Sequence, residues 1–119
     1  MLELNATPSI IDVPGGKVIA EHVGRVATGD DAMSVAHMQA PPGWSEPAQR
    51  PDFDEVTLVV SGTVLVEHDG GTTSVSAGQS IVTRAGERVR YSTGPEGAEY
   101  VAICTPAFAP DTVHREDAE

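Results

Sequence analysis

The chain has 119 residues, 18 acidic against seven basic, for a formal net charge of −11. That length suits one domain over 1–119 with its own core, and so acidic a surface repels duplexes and anionic headgroups, which excludes nucleic acid and membrane as partners. The opening MLELNATPSI has no basic segment ahead of an apolar run, and no apolar stretch approaches membrane-spanning length, so a cytoplasmic protein is expected.

Residues 1–9 read as a leading arm. Beyond them the apolar residues fall in short, β-branched runs: KVIAEHV (17–23), MSVAHMQA (33–40), DEVTLVV (54–60), TVLVEHD (63–69), TTSVSA (72–77), QSIVT (79–83), RVRYS (88–92) and EYVAIC (99–104). Each has strand length and none carries a helical period. A Pro42-Gly43 turn leads into the polar loop before Asp54, and Ser61-Gly62 is expected to close the next run into a hairpin. Asp69-Gly70-Gly71 predicts a second hairpin, because glycine supplies the positive φ such turns need. Residues 106–119, PAFAPDTVHREDAE, form a tail that lies over the body or frays. The closely spaced strands predict an all-β, antiparallel fold, either a sandwich or a jelly-roll barrel. Cys104, the single cysteine, cannot form an internal disulfide and reads as a small buried apolar residue.

The spacing from Gly43 through Glu55 to Gly62, followed by TVLVEHDGG, Gly78 and the Arg84-Ala85-Gly86 turn, is similar to the two characteristic segments of the cupin superfamily over residues 33–105. The resemblance implies a small jelly-roll β-barrel. In the family's first segment, G-x5-H-x-H-x3-E-x6-G, two histidines stand where this chain has Gln49 and Pro51. In the second, G-x5-P-x-G-x2-H, Arg84 and Val89 replace the proline and the histidine. Metal-dependent members hold Fe, Mn, Ni or Zn with three histidines and the glutamate, since imidazole and carboxylate suit such ions. Only Glu55 remains here, so no cofactor is expected; a divalent metal held by substituted ligands is the alternative.

The family position implies that Glu55 points inward. Strand alternation then takes Thr57 and Val59 in with it and turns Val56, Leu58 and Val60 out. The same parity places Val89, Tyr91 and Thr93 inward, and Arg88 and Arg90 outward. The expected cavity is lined by Met38, Gln49, Glu55, Thr57, Ile81, Val89 and Tyr91, with Trp44 near its mouth. Such surroundings strip water from a carboxylate and raise its pKa, which makes Glu55 the candidate catalytic acid or base. Gln49, Tyr91, Trp44, Thr57 and Met38 are the candidate substrate-binding residues.

The structural alternatives are that Glu55 pairs with an arginine or with loop amides, and that Trp44 and Tyr91 are packing. Arg50, Arg84, Arg88 and Arg90 form either a basic rim that draws an anionic ligand or partners for Asp52, Asp54, Glu46 and Glu87. His22 and His68 read as solvated surface, His37 faces away from the cavity, and His114 could fold back over the barrel mouth. The leading expectation is a barrel that binds a small organic molecule and carries out metal-independent isomerase, cyclase or lyase chemistry with Glu55. The alternatives are a protein that binds or senses a small acid without turnover, and a metal-dependent cupin with substituted ligands. Outward apolar strand faces suggest a homodimer.

Overall fold

The computed structural model of the protein describes residues 2–116; position 1 of the expected arm and positions 117–119 of the expected tail lie outside the described residues. The strands are β1 (Ser9–Ile11), β2 (Val18–Val23), β3 (Ser34–Ala40), β4 (Asp54–His68), β5 (Gly71–Ser76), β6 (Ser80–Thr83) and β7 (Arg90–Thr105), followed by one 3-10 turn at Pro110–Thr112. All pairings are antiparallel, in the order β1-β2-β3-β7-β4-β5, with β6 also on β4. The result is the all-β antiparallel jelly roll expected from the sequence.

Two pairs of expected strands are in fact continuous. DEVTLVV and TVLVEHD form the single strand β4, and RVRYS and EYVAIC are the two halves of β7. Gly62 does not turn the chain into a hairpin. It adopts φ 74°, and the β4–β7 register slips between Val59 and Ser61 and again between Gly62 and Val64, so β4 bends and keeps going. The bend brings backbones close enough that a Cβ on Gly62 would stand 2.1 Å from the Gly97 carbonyl oxygen. The first half of β4 therefore lies between β6 and the second half of β7, while its second half lies between β5 and the start of β7. The Asp69-Gly70 turn joins β4 to β5 as a tight hairpin in which His68 pairs with Gly71.

Inward side chains pack in two groups. Val59, Val64, Val66, Val89, Tyr91 and Tyr100 fill one end with Trp44. Phe53, Cys104, Val113 and Phe108 fill the other, where the Phe53 and Phe108 rings meet edge to face at 6.0 Å. Each fully buried valine or phenylalanine contributes about 1.5–3 kcal/mol. The C-terminal segment is held to the loop before β4 by backbone bonds: Glu116 N–H donates to Ala48, Arg50 N–H to His114 and Asp52 N–H to Thr112, at 2.8–3.3 Å. On the outer face, Leu58, Val60 and Val82 remain 43–50% exposed beside Val56, Val101 and Ile103.

Candidate functional site

The barrel encloses a cavity of about 530 Å3 whose wall is mostly apolar. Glu55 reaches it because its neighbours across the sheet are Thr83 on β6 and Cys104 on β7, both buried. One carboxyl oxygen accepts a hydrogen bond from the Thr57 hydroxyl at 3.1 Å, and the other faces the Cys104 thiol at 3.7 Å. Glu55 is partly buried and lines the cavity. Burial pushes its carboxyl above the ordinary glutamate range and the nearby Glu46 charge adds to the shift, against the Thr57 bond, the Lys17 charge and the Cys104 contact.

Around it stand groups whose protonation follows from the same enclosure. Burial raises the Tyr91 and Tyr100 phenols and the Cys104 thiol, with the Glu55 charge adding to each, so all three keep their protons. The Tyr91 hydroxyl is held by the Thr83 hydroxyl at 2.9 Å. Lys17, which lies between the Gly15-Gly16 turn and β2, lines the same cavity; its side-chain nitrogen lies 4.3 Å from the Trp44 ring centre and 5.5 Å from that of Tyr100. Burial pulls the Lys17 amine below the ordinary lysine range, against the charges of Glu46 and Glu55. Arg115, on the C-terminal segment, donates to the Gln49 side-chain oxygen at 3.3 Å and approaches the Glu46 carboxylate at 3.5 Å.

Of the residues singled out from the sequence, Met38, Gln49, Glu55 and Tyr91 line this cavity together. Thr57 is fully buried and acts on the site through its bond to Glu55. Trp44 lies in the core, where its ring faces Lys17. Ile81 and Val89 do not line the cavity; they pack in the core beside Tyr91 and border a second pocket of about 190 Å3. No basic rim forms from the four arginines: Arg84 pairs with Asp54, Arg88 with Glu116 and Arg90 with Glu67, and Arg50 reaches the Gly86 carbonyl. His37 pairs with Glu99 at 2.6 Å on the outer face, while His114 lines the cavity and bonds Asp52 at 2.7 Å.

Sequence reasoning missed Lys17, Glu46, Tyr100 and Arg115. The signal available for Lys17 was its rarity, since it is the chain's single lysine. Arg115 gave none, because nothing local tells that a C-terminal segment folds back over a barrel.

The donor set does not suit the metal that the jelly-roll resemblance implies. Where two imidazoles would converge stand Gln49, whose oxygen serves Arg115, and Pro51, which has no donor; Val89 takes the place of the third. Burial shifts Glu55 toward its protonated form, a poorer ligand, and Lys17 offers no oxygen donor on the same wall. Among the described residues no group of three His, Cys, Asp or Glu side chains is arranged to hold an ion.

Fold and cavity together define a jelly-roll barrel with an enclosed, mainly apolar site. Residues 36–104 match the cupin domain family, and the chain belongs to it. A protein of Myxococcus xanthus (strain DK1622) named endoribonuclease YbeY is 47% identical over 102 residues; the match covers 85% of this chain, which spans only 35% of that relative's length. Among solved structures, the polyketide cyclase RemF of Streptomyces resistomycificus superposes with a TM-score of 0.76 at 18% identity, over 100% of this chain and 88% of its own. Oxalate decarboxylase of Bacillus subtilis gives a TM-score of 0.78 at 16% identity, over 93% of this chain and 30% of its own. The likeness to these solved structures is one of fold.

The raised Glu55 pKa has a measurable consequence. The folded chain holds a proton that the unfolded chain loses above the ordinary value of 4.5, so this group's contribution to stability falls as pH rises through the window from 4.5 to the folded pKa. Glu55→Gln removes that loss. Thermal denaturation across pH is expected to show a melting-temperature gap in favour of the variant that opens above 4.5 and closes below it; a gap independent of pH contradicts the assignment.

Proposed function

We propose that the barrel binds a small organic molecule with an enolisable carbonyl group and that Glu55 moves a proton on it, as in an isomerisation, cyclisation or elimination. The observation that carries this reading is a protonatable carboxyl inside an apolar cavity, oriented by the Thr57 hydroxyl and the Cys104 thiol. As the neutral acid, Glu55 donates to a substrate oxygen. As the carboxylate it is poorly hydrated, and therefore a stronger base toward an acidic C–H than the same group in water. Tyr91, held by Thr83, and Gln49 supply hydrogen bonds that fix the substrate's polar end. A fold shared with a protein named a polyketide cyclase is compatible with this chemistry but does not identify it.

A second reading, capture of a small acid without turnover, draws on Lys17 and Arg115, cationic groups on the cavity wall. The name of the Myxococcus relative belongs to a chain of which this one spans 35%. RNA as the partner here is opposed by the net charge of −11 and by Arg84, Arg88 and Arg90 being tied to carboxylates.

The proton-transfer reading is tested by following α-proton wash-out from small carbonyl compounds in D2O by NMR. Glu55→Gln is expected to slow exchange by about 10²–10⁴-fold with little change in ligand binding; full turnover in a folded variant refutes the role. Ligand-dependent thermal stabilisation with no exchange favours the second reading. The homodimer is likewise a proposal, resting on the exposed Leu58, Val60 and Val82 stripe, which a second copy would cover with the same stripe about a twofold axis. Sedimentation is expected to give twice the 12.4 kDa chain mass, and Leu58→Glu to halve it; a wild-type monomer refutes the dimer.

A further inference from the structure

Lys17 is the chain's single lysine, in a protein with 18 acidic residues, yet none of the ion pairs among the described residues includes it. Lysines with no such partner ordinarily extend into water, where the ammonium is well hydrated. This one is turned inward over Trp44 and Tyr100 and lines the cavity that Glu55 also lines. A plain cation–π anchor explains the stacking. It does not explain why the residue borders the interior space in which a ligand would sit.

We propose that Lys17 is a nucleophile that forms an imine with the carbonyl carbon of a small aldehyde, ketone or oxo acid bound in the barrel. Enclosure favours the neutral amine, which is the form that attacks. The Nζ lone pair adds to the carbonyl carbon while the C=O π pair moves to oxygen, which is protonated to give a carbinolamine. Loss of that hydroxyl as water, with a proton supplied by Glu55 and the nitrogen's extra proton returned to it, leaves the C=N bond. The sum is amine plus carbonyl giving imine plus one water, with no change in oxidation state. Protonated, the imine withdraws electrons from the adjacent carbon, so that an α-proton passes to the Glu55 carboxylate and an enamine forms. Arg115, on the same wall, suits the carboxylate of an oxo acid. The inference rests on the barrel being the ligand site, as proposed above, but not on Glu55 limiting turnover.

The test is reductive trapping of the full chain with pyruvate, acetoacetate or glycolaldehyde and sodium cyanoborohydride, read by intact mass and peptide mapping. With one lysine, the N-terminus is the competing amine. Lys17 is expected to be labelled by at least one of these compounds about tenfold or more faster in the folded chain than in the urea-unfolded chain. Lys17→Arg keeps a cation over Trp44 and is expected to lose that label while the N-terminal label persists. Label on the N-terminus alone, or Lys17 labelled no faster folded than unfolded, overturns the proposal. Thermal stabilisation by the same compounds without Lys17 label also overturns it, yet leaves the barrel as the ligand site. Trapping that persists in Glu55→Gln while proton exchange is lost supports both assignments.

Discussion

The pairing of β4 with β7 is the constraint on which the rest of the barrel depends. It runs from Asp54–Thr105 to Glu67–Arg90, through two register slips, and each half of β4 finds a different second partner. A straight pair of that length would make a flat ribbon. The positive φ at Gly62, against a Gly97 backbone that leaves no room for a Cβ, folds the ribbon back on itself and closes the interior. Glu55, Thr57 and Cys104 share the inward rows created by that closure, so the site is a product of the bend.

Enclosure then sets the chemistry. A carboxyl and an amine that would be fully ionised in water share a cavity where neither is well hydrated, and each is moved toward its neutral form. Their mutual attraction opposes this only in part. Groups displaced toward neutrality from opposite sides are suited to exchanging protons with a bound molecule. The tyrosines and Cys104 are driven further from ionisation, which fits them to donate hydrogen bonds and to keep their protons.

Strand alternation made one wall of the site readable from sequence. Glu55 faces inward, Thr57 and Val59 are buried beside it, and Leu58 and Val60 are exposed, because a period of two survives in any sheet. Two mergers reduce the eight expected strands to six, and β1, which was not expected, makes seven. The merger at Ser61-Gly62 has a physical reason, since Ser-Gly carries the same local signal whether the chain turns back or merely bulges, and only the close approach of β7 decides. Parity also assigned Ile81 and Val89 to the cavity; it was right that they face inward, but they are taken up in core packing and a second, smaller pocket. Lys17 and Arg115 reach the site from the residue before β2 and from the C-terminal segment, far in sequence from the Gly43–Gly62 pattern. Their place depends on long-range packing that no local period encodes.

The central claim is that burial raises the Glu55 pKa above that of a solvated glutamate. A carbon-13 NMR titration of side-chain carboxyl signals in the intact protein, with Glu55 assigned by the signal missing from Glu55→Gln, measures this directly. The account predicts a midpoint above 4.5. A Glu55 midpoint at or below 4.5 would contradict it, leaving a well-stabilised carboxylate in the barrel and no acid suited to proton transfer near neutral pH.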